Sequence, residues 1–299
     1  MASIRLELDR IEASAGGRLA GVVNLMPDAN LPVRSVRVRL YGYEQALSKE
    51  APAKLARWIQ PPKPGRASAK LACIETTLTG RETFKSKREE IADTWGFLLG
   101  RRRYPILQCG EYTYPFVIHI PGNLLPTYFG QYYEVRYFLT AYADVPLAFK
   151  KTGPMISEEI IILGAALEGG QSIAECTSQD ACLSINVASD AVEPNMSFMV
   201  HYEIRNPSNR KIRGIDAVLL QKETSGRRSN VKKLASASSD FRNNSDSCYE
   251  GEMTIHVPAD AASSFEGRYG CLAHSLEVRP RAEWWDSVAE LMIEIGRLR

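Results

Sequence analysis

Apolar and polar residues alternate one for one along several separate stretches, and this period sets the fold class. Ile4, Leu6 and Leu8 point one way while Arg5, Glu7 and Asp9 point the other. Val36, Val38 and Leu40 alternate with Arg37, Arg39 and Tyr41, and the pattern returns at 134–141, 198–204 and 252–257. Period two is the signature of a strand with one face buried and one wet. Turn-forming clusters separate the runs: Gly16-Gly17, Met26 to Asn30, Pro121-Gly122-Asn123 and Asn206 to Asn209. Many short strands punctuated by turns predict an all-β sandwich. Residues 51–59, opened by Pro52, could form a short helix. In the tail, Val288, Leu291, Met292 and Ile295 fit a helix, while Leu291, Ile293 and Ile295 fit a strand. The strand is preferred because the rest of the chain is β.

The chain has 299 residues, which is room for about two domains. It is 44% hydrophobic and 24% charged, within the ordinary globular range, so wholesale disorder and coiled coil are excluded. A net charge of +2 argues against a global nucleic-acid binder. The longest apolar run, Ile160 to Leu167, is far below the roughly 18 residues a membrane span requires. The start, MASIRLELDR, has no signal-peptide core and no second-position glycine, and the end, EIGRLR, is no prenylation box. A cytoplasmic location is expected. The six cysteines, Cys73, Cys109, Cys176, Cys182, Cys248 and Cys271, include no C-x-x-C pair. They read as free, mostly buried thiols in a reducing compartment, and no metal site is expected.

Two halves of the sequence resemble each other. Residues 120–139 lie on 257–276 at an offset of 137, matching Pro121 with Pro258, Gly130 with Gly267, Tyr132 with Tyr269 and Leu139 with Leu276. Residues 33–45 match 212–224 in hydrophobic pattern. Two copies of one sandwich is the economical interpretation, with a boundary near 165–175. Between the paired motifs the first copy holds a stretch, 46–110, that carries thirteen Lys and Arg against six Asp and Glu, for a net +7. The other residues sum to −5. A connection this long is usually functional or disordered. Its clusters, Lys85, Lys87 and Arg88, then Arg101, Arg102 and Arg103, are the candidate partner-binding residues. Such clusters attract anionic head groups at about 1 kcal/mol per residue near a membrane and hold phosphorylated segments by charge-assisted hydrogen bonds. A solvated loop is the alternative.

Catalytic patterns are missing. There is no G-x-S-x-G, H-E-x-x-H or G-x-x-x-x-G-K-[ST]. His119, His201, His256 and His274 all fall on expected strands, where a histidine more often faces solvent or fills the core. Glu89-Glu90 and Glu158-Glu159 are adjacent pairs that point to opposite faces of a strand. No catalytic, cofactor-binding or metal-binding residue is assigned, and an unrecognised β-sandwich enzyme is the weakest interpretation. Trp284-Trp285 either pack beside the last strand or form an exposed partner site. Gly130 is expected to adopt a positive φ angle where the chain turns.

Three stretches of the first half resemble the arrestin N-terminal domain. Gly16 to Leu25, GGRLAGVVNL, is similar to the family's glycine turn and G-x-V strand. Val36 to Glu44, VRVRLYGYE, resembles its next strand, ending in a glycine and an acidic residue. Gly110 to Tyr142 follows the family's order: an aromatic-proline-phenylalanine strand, a proline turn, a small loop closed by glycine, then an R-Y strand. The second half is similar to the arrestin C-terminal domain through Pro258 and the Phe265 to Tyr269 loop. The resemblance implies two tandem immunoglobulin-like β-sandwich domains, 1–168 with the basic insertion 46–110, and 169–299. It further implies a non-catalytic adaptor or scaffold, without cofactor. Its expected partners are cytoplasmic tails of membrane proteins or trafficking factors, with peripheral contact to anionic membrane at the plasma membrane or endosomes and no nucleic acid. The alternative within the same fold is a structural subunit of an endosomal coat, like the retromer's arrestin-like subunit, for which Val135 to Leu139 is equally suited. The family's phosphate-sensing lysines lie on the first strand, where this chain has Arg5 and Arg10. The P-P-x-Y motifs that recruit ubiquitin ligases in many relatives are absent.

Overall fold

The computed structural model describes residues 2–47, 68–80, 104–146, 153–242 and 247–297. The described residues form strands and connections, with no helix among them. The chain divides into two compact units. The first comprises Met1–Gln45, Lys49–Thr127 and Val135–Leu163, and the second Ala46–Ser48, Tyr128–Glu134 and Gly164–Arg299.

In chain order the first set of strands is β1 (Ser3–Leu8), β2 (Glu12–Ser14), β3 (Arg18–Met26), β4 (Leu31–Pro32), β5 (Ser35–Ala46), β6 (Ser68–Gly80), β7 (Ile106–Leu107), β8 (Tyr112–His119), β9 (Tyr128–Phe129), β10 (Tyr133–Asp144) and β11 (Met155–Leu163). One sheet has the order β1-β3-β8 and the other β2-β11-β10-β5-β6, with β9 on β10. The alternation in the sequence is the reason for this layering. Val36, Val38 and Leu40 of β5, Leu19, Val23 and Leu25 of β3, and Phe116 and Ile118 of β8 are all buried. Val117, between two of these, is 51% exposed. Pro121 follows the end of β8, but Pro115 does not mark its start: it lies inside the paired stretch, opposite Val22, where an edge strand tolerates a missing N–H.

The remaining strands are β12 (Ser172–Ser178), β13 (Ala181–Val187), β14 (Ala191–Val192), β15 (Ser197–Arg205), β16 (Gly214–Ser225), β17 (Arg228–Asp240), β18 (Cys248–His256), β19 (Phe265–Glu266), β20 (Cys271–Pro280) and β21 (Ala289–Ile295). Their sheets have the orders β12-β13-β15-β18 and β14-β21-β20-β16-β17, with β19 on β20. The second order repeats the first strand for strand. β2 joins β11 in parallel, and β14 joins β21 in parallel. The span of β16 is that of β5 advanced by the same 179 residues that relate 33–45 to 212–224. The tail is a strand, as its neighbours predict: Ala289, Leu291, Ile293 and Ile295 of β21 face the core.

Several expectations are corrected. Gly130 is not among the glycines with positive φ. Its constraint is close approach: an added Cβ would lie 2.3 Å from a Glu223 carboxylate oxygen and 2.5 Å from the Tyr128 ring. The cysteines are free but not mostly buried. Cys73, Cys109 and Cys248 are exposed and the other three half-buried, because Cys73 and Cys248 occupy wet positions of their strands. The stretch 46–110 is not one long connection, since Ser68–Gly80 is a full strand paired along β5. Residues 51–59 lie outside the described residues.

The tryptophans are core. Trp285 is 1% exposed, and Trp284 packs against the same cluster with its Nε1–H donating to the Lys211 carbonyl at 3.1 Å. Trp285→Ala should destabilise the second unit by about 3–5 kcal/mol, as cavity-forming losses of large aromatics do. Comparing chemical denaturation midpoints of wild type and variant checks this.

His274 of β20 is 1% exposed and shares a 2.9 Å hydrogen bond between Nδ1 and the Ser264 hydroxyl. Burial pushes its pKa down to about 4. The folded state therefore holds His274 neutral while the unfolded chain takes up a proton below about pH 6.5. Stability from this residue is complete above pH 6.5 and falls as pH drops toward 4, by about 3 kcal/mol at 1.36 kcal/mol per unit. The loss of stability between pH 7 and pH 4 should shrink by about that amount in His274→Gln, measured by urea denaturation at each pH.

Candidate functional site

The strands that bury one face leave the other open, and two outer faces carry concentrated polar side chains. In the first unit it is the outer face of β5, β6, β10 and β11. Alternation places Arg37 and Arg39 outward on β5, opposite Thr77 and Glu75 of β6. Arg37 donates to Glu75 at 3.0 Å and to the Ser35 hydroxyl at 2.7 Å. Arg39 donates through Nε to Glu75 at 2.7 Å and through Nη2 to the same carboxylate. The Tyr142 hydroxyl donates to Glu75 at 2.9 Å, and the Arg39 guanidinium lies over the Tyr142 ring. Burial opposes ionisation of Glu75, but hydrogen bonds from Arg39 and Tyr142 and the charges of both arginines outweigh it and hold its carboxyl below the usual range. Beside this network Tyr43 stacks on Phe138, and Arg136 covers Phe138 while holding Glu159 with two bonds of 2.8 and 2.7 Å.

In the second unit the outer face of β12-β13-β15-β18 holds a recess of about 510 Å³. The side chains of this face come in rows across the strands. Glu175, Ser184, Glu203 and Glu250 form one row, and Ile173, Asn186, His201 and Glu252 the next. Arg205 pairs with Glu203 at 2.8 Å, and His201 Nδ1 meets Glu252 at 2.9 Å. Ile173 is 61% exposed at the rim. The contact made by the His201 ring in this recess is the one to Glu252, and Ser184 lies in the neighbouring row.

The histidines are placed as the alternation predicts. His119, His201 and His256 sit at wet positions of β8, β15 and β18, and His274 at a dry one. The candidate basic residues Lys85, Lys87, Arg88, Arg101, Arg102 and Arg103 lie outside the described residues. Sequence reasoning missed the Arg37–Glu75–Tyr142 network and the recess. Both consist of polar residues in the wet half of an alternating strand. The only available signal was the aromatic and arginine content of β5, which exceeds what a merely solvated face needs.

Two units whose larger sheets share one strand order, each with a smaller sheet of three or four strands, define a tandem β-sandwich protein. The family model described as arrestin (or S-antigen), N-terminal domain, matches residues 4–162, more than half of the chain. The chain belongs to the arrestin family. No curated protein matches it closely.

Glu75 is the carboxylate that Arg37, 7% exposed at its side chain, and Arg39 both hold. Glu75→Gln should cost about 3–5 kcal/mol, as broken buried pairs do. A carboxyl held below its usual value contributes stability that is complete above its unfolded pKa of about 4.3 and is lost as pH falls through its folded value. The variant should therefore lose less stability than wild type on acidification, by thermal denaturation between pH 6 and pH 3.

Proposed function

We propose that this chain is a non-catalytic adaptor or scaffold that binds cytoplasmic regions of membrane proteins and links them to intracellular trafficking. The observation that carries this reading is the arrestin N-terminal match over residues 4–162, joined to a second unit whose larger sheet repeats the strand order of the first. The outer sheet faces suit binding: they offer arginines, carboxylates, aromatic rings and a shallow recess. On this reading the protein works in the cytoplasm, peripheral to the plasma membrane or endosomes, and requires no cofactor. The basic clusters at Lys85, Lys87 and Arg88 and at Arg101, Arg102 and Arg103 contact anionic membrane or a partner segment.

Affinity purification from the native cell, with stoichiometry measured by mass spectrometry, tests it. Membrane proteins and trafficking factors should appear in substoichiometric amounts. Replacing Arg101, Arg102 and Arg103 by Ser should reduce their recovery several-fold if this cluster is the contact. Fixed partners in equal amounts would replace the adaptor with a coat subunit of the same fold.

A further inference from the structure

The larger sheet of the second unit, β14-β21-β20-β16-β17, turns one face to the core and the other outward. Cross-strand rows make up the middle of that outward face. Met292, Ser275, Leu220 and Lys233 stand side by side on β21, β20, β16 and β17. Glu290, Glu277 and Val218 form the row on one side of them, and Lys222 and Val231 lie in the row on the other. Glu294, two residues on from Met292, shares its outward phase on β21. Met292 is 58% exposed and Val231 55%, with Leu220, Val218 and Ser275 half-buried between them. The centre of the face therefore carries no charge, and large apolar side chains stand open to water there, as they do at the core of a partner surface.

The charges sort by strand. Glu290 and Glu294 on β21 and Glu277 on β20 lie along one side, while Lys222 on β16 and Lys233 on β17 lie along the other. Among the described residues none of these five forms an ion pair. The next row out, Arg279 and Asp216, is already committed. Arg279 donates to the Trp285 carbonyl at 2.9 Å, and Asp216 lies 3.2 Å from the Arg281 guanidinium. The corresponding face of the first unit is arranged differently, since Arg37, Arg39 and Glu75 neutralise one another there.

A face that is acidic along one side, basic along the other and uncharged between is complementary to itself. A two-fold axis running along the strands, between two facing sheets, lays β21 of one copy over β17 of the other and keeps each row opposite its own row. The Lys233 stem then covers Met292 of the second copy, and its ammonium lies between Glu290 and Glu294, each about 7 Å along the strand from that point. Four strands of about ten residues span roughly 34 by 19 Å, so two copies together cover on the order of 1,300 Å², at the lower end of specific interfaces. We propose that the outward face of β21, β20, β16 and β17 binds a second copy of this chain in a two-fold symmetric dimer, with Lys233 set against Glu290 and Glu294 around a centre of Met292 and Leu220. The dimer goes beyond the adaptor role and does not rest on it.

Sedimentation equilibrium of the full chain tests it. Wild type should pass from monomer to dimer as its concentration rises through the micromolar range. Lys233→Glu places like charges at both symmetric contacts, and so does Glu290→Lys combined with Glu294→Lys. Each of these variants alone should weaken the dimer about tenfold or more. Mixing the two restores opposite charges at both contacts and should return the affinity of wild type, a recovery that neither misfolded variants nor an unrelated surface can produce. A wild type that stays monomeric through that range overturns the proposal. So does a dimer that either variant leaves unchanged, or a mixture that fails to recover.

Discussion

The structure depends on keeping one face of each strand dry. Val38 and Leu40 of β5, and Ala217 and Leu219 of β16, must face inward, and the pleat then forces their neighbours outward. A one-residue slip of β5 against β6 would carry Arg37 and Arg39 into the core and expose Val36 and Val38. Register is therefore fixed by burial, and the rest follows from it. β10 and β20 sit inside their sheets, flanked on both sides, and their inward side chains, Val135, Tyr137 and Leu139 or Leu272, Leu276 and Val278, are almost wholly buried. The string Val135 to Leu139 is explained by this central position.

The outer faces had to be made compatible with a sheet rather than merely wet. Arg37 is 6% exposed despite its outward position, so its charge required a partner that the sheet itself supplies. Glu75, directly across from Arg39 on β6, meets both arginines and Tyr142. A cross-strand pair of this kind contributes fractions of a kcal/mol when exposed, and considerably more when its members are half-buried and share one carboxylate. The first unit has thus converted a row of potential binding groups into internal structure. In the second unit Glu175, Glu250 and Ile173 stay exposed beside the recess, and that face retains more unspent chemistry.

What could be read from the sequence follows the same physics. Alternation identified β1, β5, β10, β15 and β18 because each has one dry face, and the offsets of 137 and 179 located β9, β10 and β16 against their counterparts. β6 escaped because it is an edge strand: Ser68 to Gly80 is half-buried along much of its length, so burial imposes no clear period. Residue type alone predicts mostly buried cysteines, whereas Cys248 follows the phase of its strand and faces out beside Arg205. Glu223 could not be singled out, because an acidic residue near the end of an alternating strand looks solvated until the partner segment, about ninety residues earlier in the chain, is seen.

Gly130 unites these threads. Its matching partner in the internal repeat is Gly267, and a glycine closing a small loop suggests a turn that needs positive φ. The observed constraint is close approach: an added Cβ would lie 2.3 Å from the Glu223 carboxylate, which accepts the Gln131 and Tyr132 amides. The offset that relates β5 to β16 places Glu44 at the position of Glu223, and Glu44 is likewise buried, at 2% exposure. A buried acid at the same place in both copies is therefore a property of the repeat. In each, a strand that is otherwise apolar inside and polar outside ends on a carboxylate whose burial must be offset by donors from elsewhere. Where those donors are visible, at Glu223, they are backbone amides rather than arginines. That choice makes the contact insensitive to most side-chain changes in the donor segment.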